Sequence, residues 1–137
     1  MRVFILEDSI NRNALFREIF APAEHVDLTI AECAEDAIRL WKPPYDLIML
    51  DHDLEDAHYR AFEKGEDTYP GGQTGYDFVK WMITDTESPQ GVVIIHSFNP
   101  VGAEKMEGVL KKAGWYIRRL PFGMELLTQL QTMVRPV

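Results

Sequence analysis

The chain has 137 residues, of which 46% are hydrophobic and 26% charged, enough for the core of one compact domain. Its net charge of −8 argues against broad DNA binding, because sequence-independent affinity for nucleic acid comes mainly from lysines and arginines that neutralise phosphates. The negative charge does not exclude binding of a small phosphorylated ligand. The single cysteine excludes an intrachain disulfide, and no apolar run is long enough to span a membrane, so we expect a cytoplasmic protein.

Runs rich in Val, Ile, Leu, Phe and Tyr alternate with segments of helical periodicity along the whole chain. The first helix has Ser9 as its predicted N-cap, and the second stops at Pro43 and Pro44. The fourth helix ends on Gly114. In chain order, strands are predicted over 2–6, 26–31, 45–50, 91–96 and 115–120, and helices over 9–20, 34–41, 76–83, 102–114 and 124–134.

This alternation predicts an α/β fold. Neighbouring parallel strands need crossover connections, and helices in those crossovers cover both faces of the sheet. We therefore expect a five-stranded, parallel, doubly wound sheet in a three-layer α/β/α sandwich, as a single domain over 1–137. In such sheets ligands bind outside the carboxyl ends of the strands.

Polar side chains follow the predicted strands at that edge. Carboxylates crowded together there favour a bound cation, and Mg²⁺ or Mn²⁺ suits oxygen ligands better than Zn²⁺, although nearby imidazoles widen the choice of metal. Asp8 and Asp51, joined by Glu7 or Asp53, can supply the oxygens. The full set after the strands is Glu7, Asp8, Asp51, His52, Asp53, His96, Ser97, Asn99, Arg118 and Arg119.

The histidines add acid–base chemistry to this edge. A histidine beside a metal-bound phosphate can act as general acid or base, and a nearby amide can hydrogen-bond to an oxyanion or orient the imidazole. We predict Asp51, His52, His96 and Ser97 as catalytic residues, with Ser97, Asn99, Arg118 and Arg119 as phosphate contacts. For each histidine a structural hydrogen-bonding role is the alternative. Arg118 and Arg119 are adjacent in one predicted strand, so their side chains point to opposite faces of the sheet, and only one of them shares a face with Leu120.

Four motifs resemble the response-regulator receiver domain: "ED" after strand one, "LIMLD" at strand three, "IIHS" at strand four and "LPFG" after strand five. The resemblance implies a flavodoxin-like sheet of order 2-1-3-4-5, with Asp51 as the phosphoacceptor equivalent, Glu7 and Asp8 as the metal pair and Ser97 contacting phosphate. A lysine precedes "PF" in that family. Here Leu120 stands in its place.

A narrower resemblance comes from "LDHDL", "TGYDFVKWM", "IIHSFNPVGAEKM" and "RLPFG", which are similar to the receiver-derived domains named for cyclic-phosphate processing. Relative to ordinary receivers the chain has an inserted loop at about 55–73. The resemblance implies a metal-dependent phosphohydrolase acting on a small, cyclic phosphate or an RNA end. The alternative is a divergent receiver that binds a protein partner, with or without phosphorylation of Asp51.

Overall fold

The computed structural model describes residues 1–54 and 74–135. The predicted insertion at 55–73 lies outside the described residues. The strands are β1 (Arg2–Leu6), β2 (Asp27–Ala31), β3 (Leu47–Leu50), β4 (Val92–Ile95) and β5 (Tyr116–Arg119). The helices are α1 (Ile10–Phe20), α2 (Ala34–Leu40), α3 (Gly75–Asp85), α4 (Pro100–Lys112) and α5 (Met124–Val134).

All five strands pair in parallel in one sheet, in the order β2-β1-β3-β4-β5. This confirms the predicted fold class and strand order. The helices lie on both faces, so the central strands are buried on both sides and, apart from Arg2 at the start of β1, their sequences are apolar, as is typical of parallel sheets.

Two apolar clusters fill the space between sheet and helices, one on each face. Alternate residues of β1 divide between them: Phe4 packs among α2, α3 and α4, with its ring 5.7 Å from that of Phe78, whereas Ile5 packs on the side of α1 and α5. Leu120 is 8% exposed and belongs to the second cluster with Phe16 and Leu126. The position where receivers have a lysine is therefore part of the apolar core.

Capping residues fix where the helices begin at the functional edge. Ser9 Oγ accepts a hydrogen bond from the backbone N–H of Arg12, which confirms Ser9 as the N-cap of α1. Thr74 and Asp77 form a reciprocal capping box at the start of α3. Among residues 1–54 and 74–135, no helix has the length and apolar character needed to cross a membrane.

Candidate functional site

The first residues after β1, β3 and β4 meet because these strands are neighbours in register. Leu6 pairs with Leu50 and Leu50 with Ile95, so the residues that follow are placed side by side. The backbone ladder continues into them, with Asp51 N–H donating to Leu6 at 3.0 Å and His96 N–H donating to Leu50 at 3.1 Å. Glu7 and His96 are fully buried and Asp51 is 5% exposed.

Glu7 lies at the centre of this group and is held on both carboxylate oxygens. Oε1 accepts from His96 Nε2 at 3.0 Å and from Arg12 Nη1 at 3.3 Å, and Oε2 accepts from the backbone N–H of Ser9 at 3.0 Å. Burial acts to raise the pKa of Glu7, but the hydrogen bond and electrostatic attraction of His96 outweigh it and hold the pKa at about 2. Glu7 is therefore a fixed negative charge.

The charged form of Asp51 is less favoured than that of Glu7. Its Oδ1 accepts from the backbone N–H of His52 at 2.9 Å, while Oδ2 lies 4.0 Å from Arg12 Nη1. Burial, and then repulsion from Glu7, raise the pKa of Asp51 to about 6. The charge of Asp51 is thus undercompensated by its protein neighbours.

One potential ligand atom from each of Glu7, Asp51 and His96 lies within 4.8 Å of the others. Two buried carboxylates and an imidazole at this spacing suit a divalent cation, which would relieve the repulsion that raises the pKa of Asp51. The carboxylates therefore fit the metal that the sequence predicts, and His96 holds one of them in place through its hydrogen bond to Glu7.

A cavity of about 220 Å³ opens beside this group. All four carboxylates predicted as metal ligands line it, together with Ser9, Arg12 and Phe98: they are Glu7, Asp8, Asp51 and Asp53. Ser97 is 5% exposed and its Oγ accepts from the backbone N–H of Asn99 at 3.0 Å; neither it nor His96 is among the lining residues.

His52, Asp53 and Asn99 form a second polar group, of which Asp53 lines the cavity and His52 and Asn99 do not. His52 Nδ1 lies 3.0 Å from Asp53 Oδ1, and Asn99 Nδ2 donates to the same oxygen at 3.2 Å. Asn99 is itself fixed as the N-cap of α4, since its Oδ1 accepts from the N–H of Gly102 at 2.9 Å. The absence of a side chain on Gly102 makes room for the imidazole, because a Cβ there would overlap the His52 ring.

The two predicted phosphate-binding arginines on β5 are not among the residues that line this cavity. Arg118 is half-buried opposite Ile94 and Arg119 is exposed opposite Ile95. Among the residues that the structure describes, the cation that lines the cavity is Arg12, which sequence reasoning missed. Its signal was available: with Ser9 as N-cap, position 12 falls in the first turn of α1, beside the strand ends.

Gly75 permits α3 to begin directly against the site. Its N–H donates to the carbonyl of His52 at 2.9 Å, and a Cβ on Gly75 would overlap the carbonyl oxygen of Asp51.

We expect Gly75→Ala to destabilise the protein by about 2 kcal/mol, because the backbone of Gly75 or of Asp51 must move to make room for the methyl group. Gly108→Ala is the matched control: it lies exposed within α4 with open space around it, and it should stabilise by up to about 1 kcal/mol. Denaturant unfolding of both variants measures the difference, and equal effects would contradict it.

A parallel 2-1-3-4-5 sheet with carboxylates at the ends of β1 and β3 defines a receiver-type domain. The chain belongs to the family described as the cyclic-phosphate processing Receiver domain, whose model matches residues 2–112. Curated proteins gave no match.

Solved structures give the same fold at low identity. A response regulator from Colwellia psychrerythraea is 19% identical, with 97% of this chain and 95% of that chain covered and a TM-score of 0.64. The non-phosphorylated HemR receiver domain from Leptospira biflexa is 16% identical, with coverage of 99% and 98% and a TM-score of 0.62. The phosphorylated cyanobacterial phytochrome response regulator RcpA is 18% identical, with coverage of 97% and 87% and a TM-score of 0.58. At these identities the likeness concerns the fold.

Proposed function

We propose that this protein is a divalent-cation-dependent phosphate-processing enzyme that opens a small cyclic phosphate by hydrolysis. The observation that carries the proposal is the convergence of Glu7, Asp51 and His96 within 4.8 Å beside a cavity that Arg12 also lines. Buried, crowded carboxylates are costly without a function, and the raised pKa of Asp51 records part of that cost.

Glu7, Asp8, Asp51 and Asp53 would hold the cation, with Mg²⁺ or Mn²⁺ favoured over Zn²⁺ by the excess of oxygen donors. When bound, the cation supplies neutralisation of the charge that develops on phosphate oxygens. Glu7 cannot turn away from it, because His96 and the Ser9 N–H hold both of its oxygens. His96 acts in this scheme through Glu7 as a positioning residue.

In the reaction, a water oxygen bonds to phosphorus, the bond from phosphorus to one ring oxygen breaks, and a proton from the water ends on that leaving oxygen. His52 is suited to move the proton, since Nδ1 directed at Asp53 leaves the lone pair of Nε2 to accept one. Asn99 fixes the same Asp53 oxygen and so the orientation of the pair. Ser97, Asn99, Arg118 and Arg119 stay predicted phosphate contacts, and none of the four is among the described residues that line the cavity.

A receiver role is the second candidate, in which Asp51 accepts a phosphoryl group and a protein partner reads the change. Asp51 lines the cavity, as an acceptor must, and the structural neighbours are receivers. The buried Leu120 weighs against ordinary phosphorylation-driven switching, because an apolar core residue stands where the family has its lysine.

Turnover distinguishes the two functions. The protein would be supplied with Mg²⁺, Mn²⁺ or Zn²⁺ and tested against 2′,3′-cyclic nucleotides, phosphomonoesters, phosphodiesters and acetyl phosphate, alongside Asp51→Asn, His52→Gln and the distant control Tyr116→Ala. We expect hydrolysis of a cyclic phosphate that Asp51→Asn abolishes and His52→Gln slows by about a hundredfold or more. A stable phosphoryl adduct on Asp51 without turnover would overturn the enzyme proposal in favour of the receiver role.

A further inference from the structure

Arg12 and Phe98 form a mixed cationic and aromatic surface at the mouth of the cavity, which we call the Arg12–Phe98 surface. The guanidinium carbon of Arg12 lies 5.0 Å from the centre of the Phe98 ring and 4.9 Å from that of Phe122. The side chain of Arg12 is 25% exposed. Held between two rings, its guanidinium has a defined position that faces the cavity it lines.

Arg12 has donors to spare for an anion. Within the described part of the chain, the ion pairs of its guanidinium run through Nη1, to Glu7 at 3.3 Å and toward Asp51 at 4.0 Å. A guanidinium carries five N–H donors in a fork that matches the oxygens of a phosphate. Among the described residues lining the cavity, Arg12 is the one positive charge against four carboxylates. Among these residues, Arg12 is therefore the one that can pair with an anion bound in the cavity.

Phe98 is exposed where its backbone is fixed. It is 62% exposed, although Ser97 before it is buried and Asn99 after it caps α4. The backbone N–H of Asn99 donates to Ser97 Oγ across this residue, at 3.0 Å. The ring therefore has little freedom to move into the core and presents apolar surface to solvent, next to the guanidinium. A flat aromatic group is the ligand chemistry that such a ring accepts.

We infer that the cavity binds a nucleoside phosphate, with the phosphate at Arg12 and the base stacked on Phe98. This inference rests on the proposed function and names its substrate class. A single exposed ring accommodates one base, and the net charge of −8 disfavours a long strand, so the ligand is a mononucleotide. Phe98 sets the preference for a nucleotide over a bare phosphate.

Isothermal titration calorimetry in Mn²⁺ tests this with 2′,3′-cyclic AMP, ribose 5-phosphate and inorganic phosphate as probes. The parent and each variant carry His52→Gln, so that the cyclic nucleotide is not hydrolysed during the titration. We expect Phe98→Ala to weaken binding of the cyclic nucleotide by about tenfold or more, the usual cost of losing one stacked base. Binding of the two base-free probes should weaken much less, because Phe122 still packs against the Arg12 guanidinium. Arg12→Gln should weaken the binding of all three probes, and Arg12→Lys should retain part of the affinity that Arg12→Gln loses. Tyr116→Ala is the matched control, since Tyr116 is 65% exposed at the amino end of β5, the opposite edge of the sheet.

The inference is overturned if the cyclic nucleotide binds no better than inorganic phosphate, or if Phe98→Ala and Tyr116→Ala have the same effect. Thermal unfolding should show both alanine variants as stable as the parent, because each ring is mostly solvated. A separate Mn²⁺ titration distinguishes the failures. If the protein binds Mn²⁺ through Asp51 but Phe98→Ala does not change nucleotide binding, only the inference of a nucleotide ligand is rejected. If the protein binds no Mn²⁺, the proposed function is rejected.

Discussion

Asp51→Asn is expected to weaken divalent-cation binding strongly and, in the same variant, to stabilise the cation-free protein at neutral pH. The substitution removes a charge that burial and Glu7 disfavour, while the amide oxygen can still accept from the backbone N–H of His52. It also removes a proposed ligand, which should weaken Mn²⁺ binding by more than about a hundredfold, since losing even an outer partner of a metal ligand costs up to that much.

The stabilisation depends on pH with a defined sign. The pKa of Asp51 rises from its ordinary 3.8 to about 6 on folding, so the folded protein takes up a proton more readily than the unfolded chain. Stability from this group is fully present below about pH 4 and is lost as the pH rises through about 6. The amide of the Asp51→Asn variant does not titrate and escapes that loss. At about pH 8 the variant should be more stable by as much as about 3 kcal/mol, and near pH 4 the difference should vanish.

Chemical unfolding with a chelator present, repeated across that pH range and then with Mn²⁺, measures both effects. The parent should gain stability from Mn²⁺ and the variant should not. Asp27→Asn is a suitable control, because Asp27 is exposed at the start of β2, on the edge of the sheet opposite the cavity. A variant less stable than the parent at every pH would contradict the crowding of Asp51 with Glu7.

The architecture could be predicted from sequence because each level of the pattern agrees. Strands of four or five residues alternate with helices, and a parallel sheet with right-handed crossovers buries the apolar side chains of both in two clusters, one on each face. The residues at the strand ends followed from the same logic: Glu7, Asp51 and His96 are the first residues past three neighbouring strands.

What the sequence left open depends on side-chain direction rather than on placement along the chain. His96 follows β4, as predicted, but its ring turns inward to Glu7, with an edge-on contact to Phe16 at 5.7 Å between ring centres. Arg12 shows the opposite case: it belongs to a helix, yet its long side chain extends over the strand ends and lines the cavity. Periodicity gives the face of a helix that a residue occupies, but the reach of an arginine depends on the aromatic rings available to hold it, here Phe98 and Phe122.

His96→Ala should be the most destabilising substitution at the site, lowering the free energy of unfolding by about 3 kcal/mol or more. It leaves Glu7 fully buried without the imidazole that faces it at 3.0 Å, and breaking a buried pair by removing one partner is costly because the other charge stays behind. The vacated volume beside Phe16 adds a packing loss.

A double-mutant cycle separates the pair from the packing loss. Glu7→Gln removes the stranded charge, so the double variant should be more stable than the sum of the single changes predicts, with a coupling energy of about 1–3 kcal/mol in denaturant unfolding. The pKa of Glu7 lies at about 2 instead of 4.5, so its contribution is present above 4.5 and is lost as the pH falls toward 2. The deficit of His96→Ala should therefore shrink over that interval. Additive effects in the cycle, with a deficit independent of pH, would show that His96 stabilises the protein by packing and leaves Glu7 to be held by Arg12 and Ser9.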